Sequence, residues 1–195
     1  LSKQGGIKVA ITGDGKGATQ GKITYNNTKK ENDNTTSKKD IPASPEKTSQ
    51  ALLTNAKPEK FLETLEEFKK GKGGEFTQAI SAAIPNLQGF QQFEARKALA
   101  ERFVRFNKET LIEYLNNDNP EIRAAAISAI ALRNQKIGMS NITVALEDNS
   151  AWVRNSAYLC LKSLTGKDFG NPNLVTDPEK TKILNLWKTY IKENP

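Results

Sequence analysis

Leu111–Leu132, LIEYLNNDNPEIRAAAISAIAL, and Ile142–Ser163, ITVALEDNSAWVRNSAYLCLKS, are one pattern written twice. At an offset of 31, Leu111 falls on Ile142, Leu115 on Leu146, Ile122 on Val153, Arg123 on Arg154, Ala126 on Ala157 and Ile130 on Leu161. Each copy reads as a short helix, an Asn/Asp-rich turn and a longer helix. In the turns, Asn119 and Ser150 are N-cap candidates, and Pro120 occupies a first helical position, where a missing N–H costs nothing. An earlier copy of the second helix appears at an offset of 27, with Glu94–Phe103 lying over Glu121–Ile130. Arg96, Arg123 and Arg154 share one slot. Helix pairs that repeat at this spacing bury their apolar faces by stacking on one another, which predicts an α-solenoid.

Outward from the repeat, the helical signals continue on both sides. Ser44-Pro45-Glu46 opens a helix through about Asn55, and Pro58 opens another carrying Phe61, Leu62, Leu65 and Phe68. Gly71-Lys72-Gly73-Gly74 ends it. Phe76, Ala79, Ile80, Ala83 and Ile84 then sit at i, i+3, i+4, i+7 and i+8 of a helix that Pro85 stops. Thr165-Gly166 closes the last repeat helix, with glycine in the C′ position. Asp177-Pro178-Glu179 reads as the N-cap and first turn of a capping helix over 178–192. Ile183, Leu184, Trp187, Tyr190 and Ile191 form its inner face, and Lys180, Lys182, Lys188 and Lys192 its polar one.

Before Ser44 the pattern changes. Ile7, Val9 and Ile11 alternate with Lys8, Ala10 and Thr12, a period of two that predicts a half-buried strand. After Gly13-Asp14-Gly15-Lys16-Gly17, Ile23 and Tyr25 resume the alternation. Residues 1–25 are expected to be a β-hairpin-like arm, and residues 26–44 a polar, low-complexity linker. An isolated hairpin is marginal in water, so this arm is expected to complete a sheet supplied by another chain or by a preceding segment. The expected fold is mainly α: a short α-solenoid of antiparallel helix pairs over 45–195, with a small strand-containing N-terminal arm.

Composition excludes much chemistry. The 195 residues include no histidine and one cysteine, Cys160. Ser-His-Asp and Cys-His catalysis, His-ligated zinc, C-x-x-C-H haem attachment and disulfide frameworks are all ruled out for this chain. No apolar run is long enough to span a membrane. The net charge is +7, and residues 1–50 carry nine lysines against five acidic residues. Those lysines stand among no arginine and one aromatic, Tyr25, whereas single-strand platforms interleave basic and stacking groups, so nucleic acid is disfavoured as a partner. The Gly13–Gly17 run lacks the following helix that a dinucleotide fingerprint needs, and the Walker spacing fails because Lys16 stands where glycine is required. A glycine-rich hairpin turn is the simpler reading. Cys160, among small apolar neighbours, reads as a buried, inert thiol.

The repeat residues, Leu115…Asn119-Pro120-Glu121-Ile122-Arg123-Ala124-Ala125-Ala126 and Leu146-Glu147-Asp148…Trp152-Val153-Arg154…Ala157, resemble HEAT repeats. Three further runs resemble a group of bacterial, mostly exported HEAT-repeat proteins: Phe76–Leu87, Glu94–Arg102 and Leu164-Thr165-Gly166-Lys167-Asp168-Phe169-Gly170. The resemblance covers about residues 45–190. It implies an all-helical scaffold with no catalytic residues to carry over. It also implies a place in an exported respiratory redox complex, such as a nitrite oxidoreductase organised into filaments. Leu1 in place of Met marks a fragment or a processed form, and removal of a signal peptide would give an extracytoplasmic, periplasm-like location.

Two sets of residues are singled out. The Arg slot (Arg96, Arg123, Arg154) is read as a structural ladder to adjacent turns, with a row of phosphate or carboxylate readers as the other reading. Trp152 and Leu159 replace Glu121 and Ser128 of the preceding repeat and stand on one helix face. Either the C-terminal helix covers them through Trp187 and Tyr190, or they anchor a partner together with Ile7, Val9, Ile11, Ile23 and Tyr25. The expected function is a non-catalytic interaction scaffold or accessory subunit in a hetero-assembly of protein subunits. No cofactor, metal or small-molecule substrate is expected. The rivals are an auxiliary helical domain of an enzyme whose catalytic part precedes Leu1, and a nucleic-acid-binding protein acting through the basic arm.

Overall fold

The computed structural model describes residues 45–54 and 57–194. The expected hairpin arm, the linker 26–44 and the N-cap Ser44 lie outside the described residues. Among those described there are nine α-helices and no strand. They are α1 (Pro45–Thr54), α2 (Pro58–Lys70), α3 (Gly74–Ala83), α4 (Gly89–Phe103), α5 (Lys108–Tyr114), α6 (Pro120–Leu132), α7 (Met139–Val144), α8 (Ala151–Thr165) and α9 (Asp177–Glu193).

The helices form two layers. Each of α2, α4 and α6 packs on the next even-numbered helix, ending at α8, while α1 packs on α3 and α7 on α9 in the other layer. Odd and even helices meet along one continuous core, to which Phe61, Ile80, Leu99, Phe103, Ile127, Ile130, Leu146 and Leu161 contribute fully buried side chains. Alanines make the close approach of α6 possible. Ala124, Ala125, Ala126 and Ala129 are all buried, so its neighbours on both sides can lie near its backbone.

The turns follow the sequence with local corrections. Asn119 Oδ1 accepts a hydrogen bond from Glu121 N at 2.9 Å and caps α6 as expected. Ser150 precedes α8 but its hydroxyl makes no cap bond; instead Asp148 Oδ1 accepts from Ser150 N at 2.8 Å. Asp177 is the first residue of α9 and Thr176 its N-cap, one position earlier than the sequence suggested. Pro85 does not end the chain's coiling: α3 stops at Ala83, and a 3-10 turn over Ile84–Asn86 carries the proline. Gly166 ends α8 at φ +67, the left-handed conformation that glycine adopts without Cβ strain.

Arg102 is the principal internal brace. It is buried, its Nη1 donates to the carbonyls of Phe68 (2.6 Å), Lys69 (3.1 Å) and Gly71 (2.7 Å), and Nη2 donates to that of Gly73 (2.8 Å). Its Nε donates to Thr77 Oγ1 at 3.2 Å. The α2–α3 turn has orphan carbonyls at a helix C-terminus, and one planar guanidinium satisfies them. Arg133 repeats the device at the next turn, donating to the Phe106 carbonyl at 2.7 Å.

Candidate functional site

The outer face of the even layer carries an apolar groove of about 480 Å³ across α4, α6 and α8. Its floor is Ser128, Ala131 and Leu132 of α6, side chains mostly too small to fill the space between the flanking helices. One wall is Phe93, Arg96, Lys97 and Ala100 of α4; the other is Trp152, Ser156, Leu159 and Cys160 of α8. Spacings of three and four put each set on a single helix face. Phe93 is 63% exposed, Leu132 62% and Leu159 53%, so three large apolar groups face solvent around a half-buried tryptophan.

The C-terminal helix does not cover this face, contrary to one expectation from the sequence. α9 packs on α7 in the odd layer. There Trp187 is fully buried and meets Phe169 edge-on, with ring centroids 4.8 Å apart, and Tyr190 meets Phe169 at 5.7 Å. The reason lies in the segment 166–176, which folds against the flank of α8. Tyr158 Oη donates to Asp168 at 3.0 Å, Lys162 pairs with Asp168 at 2.5 Å, and Asn171 Nδ2 donates to Asn155 Oδ1 at 3.1 Å. The chain thereby closes the end of the even layer and returns to the odd one.

Arg96 fixes the tryptophan. Its Nε and Nη2 donate to the Glu121 carboxylate at 2.9 and 2.7 Å, and its Nη1 donates to Gln92 Oε1 at 3.2 Å. The guanidinium carbon lies 4.1 Å from the Trp152 ring centroid. Glu121 and Trp152 occupy the same slot in successive repeats, and Arg96 bonds the first through its edge and stacks on the second through its face. A cation held over an indole in this way contributes about 0.5–2 kcal/mol.

The other two arginines of the slot behave differently. Arg123 donates to Asp148 at 2.8 and 2.7 Å and to the carbonyls of Asn117 and Asp118 at 2.7 and 3.0 Å. Arg154 donates to Asn173 Oδ1 and to the carbonyls of Asp148 and Asn149 at 2.7 and 3.1 Å. Each grips its own turn and reaches the next one. Burial raises the Asp148 carboxyl's pKa, but hydrogen bonds from Arg123 and the Ser150 amide outweigh it and hold the group below the usual carboxylate range. Arg96 grips no turn of its own, so the shared slot has two uses in this fold.

Beside the groove, a hollow of about 450 Å³ runs between α2 and α4 and shares Lys97 and Glu101 with it. Glu63, Glu66, Glu94 and Glu101 line it with Lys69 and Lys97, and Lys70 pairs with Glu66 at 3.1 Å, so the carboxylates are largely offset. Lys69 bridges Glu66 and Glu101 at 2.6 and 2.8 Å. Cys160, in the α8 wall of the groove, is buried, and burial pushes its thiol up to about 12.

Of the sequence candidates, Trp152 and Leu159 come together on this surface, and Ile7, Val9, Ile11, Ile23 and Tyr25 lie outside the described residues. Sequence reasoning missed Phe93 and Leu132. Both fall off the core stripe of their helices, and an off-stripe Phe two positions before the Ala95 core residue was the available signal. Among the described residues, no group of three or more His, Cys, Asp or Glu side chains gathers as a metal site would, and no helix is long and apolar enough to cross a membrane.

No curated protein and no solved structure matches the chain. Residues 109–178, from α5 to the first turn of α9, match the HEAT repeats family, and that match supports a HEAT-repeat protein.

Proposed function

We infer that this chain is a non-catalytic interaction scaffold, an accessory subunit that holds other proteins in a larger assembly. The observation that carries it is the groove around Trp152 that the other described residues leave open, on a repeat segment of a kind that generally mediates protein contacts. Contiguous apolar side chains left open on an otherwise well-packed molecule mark interaction sites. The N-terminal arm supplies a second contact. Its alternating segment joins a strand of another protein or of a preceding segment. Two contacts joined by a long polar linker raise avidity through effective concentration.

The assembly is an exported respiratory redox complex, such as a nitrite oxidoreductase, which the chain orders into filaments. This narrower reading rests on the resemblance of Phe76–Leu87, Glu94–Arg102 and Leu164–Gly170 to exported HEAT-repeat proteins. A periplasm-like location and a hetero-assembly follow from it, with the haem and cluster chemistry residing in the partner subunits.

Mild purification from the source cells tests both levels. Co-elution with redox subunits, and filaments in electron micrographs that disappear without this chain, support the reading. A chain that elutes alone overturns the scaffold role, and co-elution with unrelated subunits overturns the narrower one. Deletion of residues 1–40 is expected to abolish assembly while helix content by circular dichroism stays nearly unchanged.

A further inference from the structure

The channel over α6 is narrow. Neighbouring packed helices lie about 8–10 Å from axis to axis, and each is about 10–12 Å across with its side chains. α4 and α8 flank α6, so the clear space between their facing side chains is on the order of 4–10 Å. That admits a row of side chains and no backbone. The occupant therefore brings protruding apolar side chains. This face supplies both halves of such a contact. Ser128 and Ala131 leave the hole, and Phe93, Leu132 and Leu159, each more than half exposed, stand around it as knobs. A face that carries knob and hole together can meet its own copy across a two-fold axis, where every contact is made twice.

Charge neither selects nor repels at this face. Arg96 pairs with Glu121 at 2.7 Å, Lys97 stands 3.9 Å from Glu94, and Glu101 pairs with Lys69 at 2.8 Å, so each charged group lining the groove has its opposite in the same molecule. The net charge of +7 lies mostly elsewhere, since residues 1–50 hold nine lysines against five acidic residues. The apolar area is also sufficient. Phe90, 54% exposed, lies one turn before Phe93 on α4 and extends the patch. Phe90, Phe93, Leu132 and Leu159 together expose on the order of 450 Å² of largely apolar surface. An interface of standard size takes about 800 Å² from each partner, and about 56–65% of it is apolar, or roughly 450–520 Å².

We propose that two copies of this chain pair through the α4–α6–α8 face, each seating its protruding Phe93, Leu132 and Leu159 side chains against the other's channel over Ser128 and Ala131. This rests on the scaffold reading and deepens it: the groove joins two scaffolds, and the two N-terminal arms remain for the other subunits of the assembly.

Sedimentation equilibrium of the full chain between about 1 and 100 µM tests the pairing, in the range of ordinary protein–protein affinities. A monomer–dimer equilibrium is expected, closing at two copies. Its dissociation constant is expected to change by less than about threefold between low and high salt, because the contact is apolar and its charges are already matched. Leu159→Glu and Ala131→Glu are expected to raise the dissociation constant by about tenfold or more, with unchanged circular dichroism. Leu174→Glu, 81% exposed and outside the groove, is expected to leave it unchanged. A chain that stays monomeric at the highest concentration overturns the proposal, as does growth beyond two copies. So does association that high salt dissolves, or that Leu159→Glu leaves intact. A monomer that still co-elutes with other subunits from the source cells overturns the pairing alone and leaves the scaffold reading standing. A dimer that elutes with no other subunit supports the pairing and overturns the scaffold reading.

Discussion

Single arginines decide much of this fold, and they do so in different ways. Arg102 donates to four main-chain carbonyls and one hydroxyl while almost fully buried. Removing it leaves those carbonyls unpaired, so Arg102→Ala is expected to cost about 3 kcal/mol in urea unfolding, and Arg102→Lys to recover only a minor part because an ammonium lacks the planar fork. Arg123 works through charge. Its bonds help lower the pKa of Asp148 in the folded chain, so the carboxylate stabilises the fold above its unfolded pKa of about 4 and ceases to do so as pH falls through the lower folded value. Asp148→Asn is therefore expected to be less stable than the parent chain by about 2 kcal/mol near neutral pH. That gap should narrow in denaturation curves taken below about pH 4. A gap that stayed constant with pH would mean that the pair contributes through shape alone. None of Arg102's partners could be read from the sequence. They come from the α2–α3 turn, and nothing in the run Ala100-Glu101-Arg102-Phe103 says which turn lies beside it.

Among the elements, α6 and α8 share a pattern but start differently. In α6 the Asn119 side chain caps the helix, while in α8 the Ser150 hydroxyl makes no such bond; the turns before the two helices are closed alike, by Asn117 Oδ1 on Asn119 N and by Asp148 Oδ1 on Ser150 N. Asn119→Ala is thus expected to lower stability by about 1 kcal/mol, and Ser150→Ala to change it by less than about 0.5 kcal/mol, in thermal or urea melts of the two variants. The sequence presented both residues as equivalent candidates because capping propensity is a local property. The difference lies in the cap side chain alone: Asn119 Oδ1 reaches the Glu121 amide, and the Ser150 hydroxyl makes no such bond.

For the whole molecule, the path of the last forty residues matters most. Segment 166–176 closes the flank of α8, and α9 seals α7 through the fully buried Trp187. The two tryptophan-bearing helices therefore have opposite duties. Trp187→Ala is expected to destabilise the protein by about 3–5 kcal/mol. Leu159→Ala, at a half-exposed position, is expected to shift stability by less than about 0.5 kcal/mol while weakening partner binding. Calorimetry of both variants beside the assembly test separates a sealing residue from a docking one.

The sequence by itself determined the repeat, the helical class of residues 45–195, the register of Arg96, Arg123 and Arg154, and the absence of histidine chemistry. These are periodic or compositional properties, readable along the chain without knowing which segments meet in space. Only the tertiary structure decided that α9 returns to the odd layer and does not cover Trp152, and that Arg96 joins Glu121 of one repeat to Trp152 of the next. Periodicity tells which face of a helix is apolar. What stands against that face depends on the path of the chain through distant turns, and that path is settled by packing and hydrogen bonding across the whole stack.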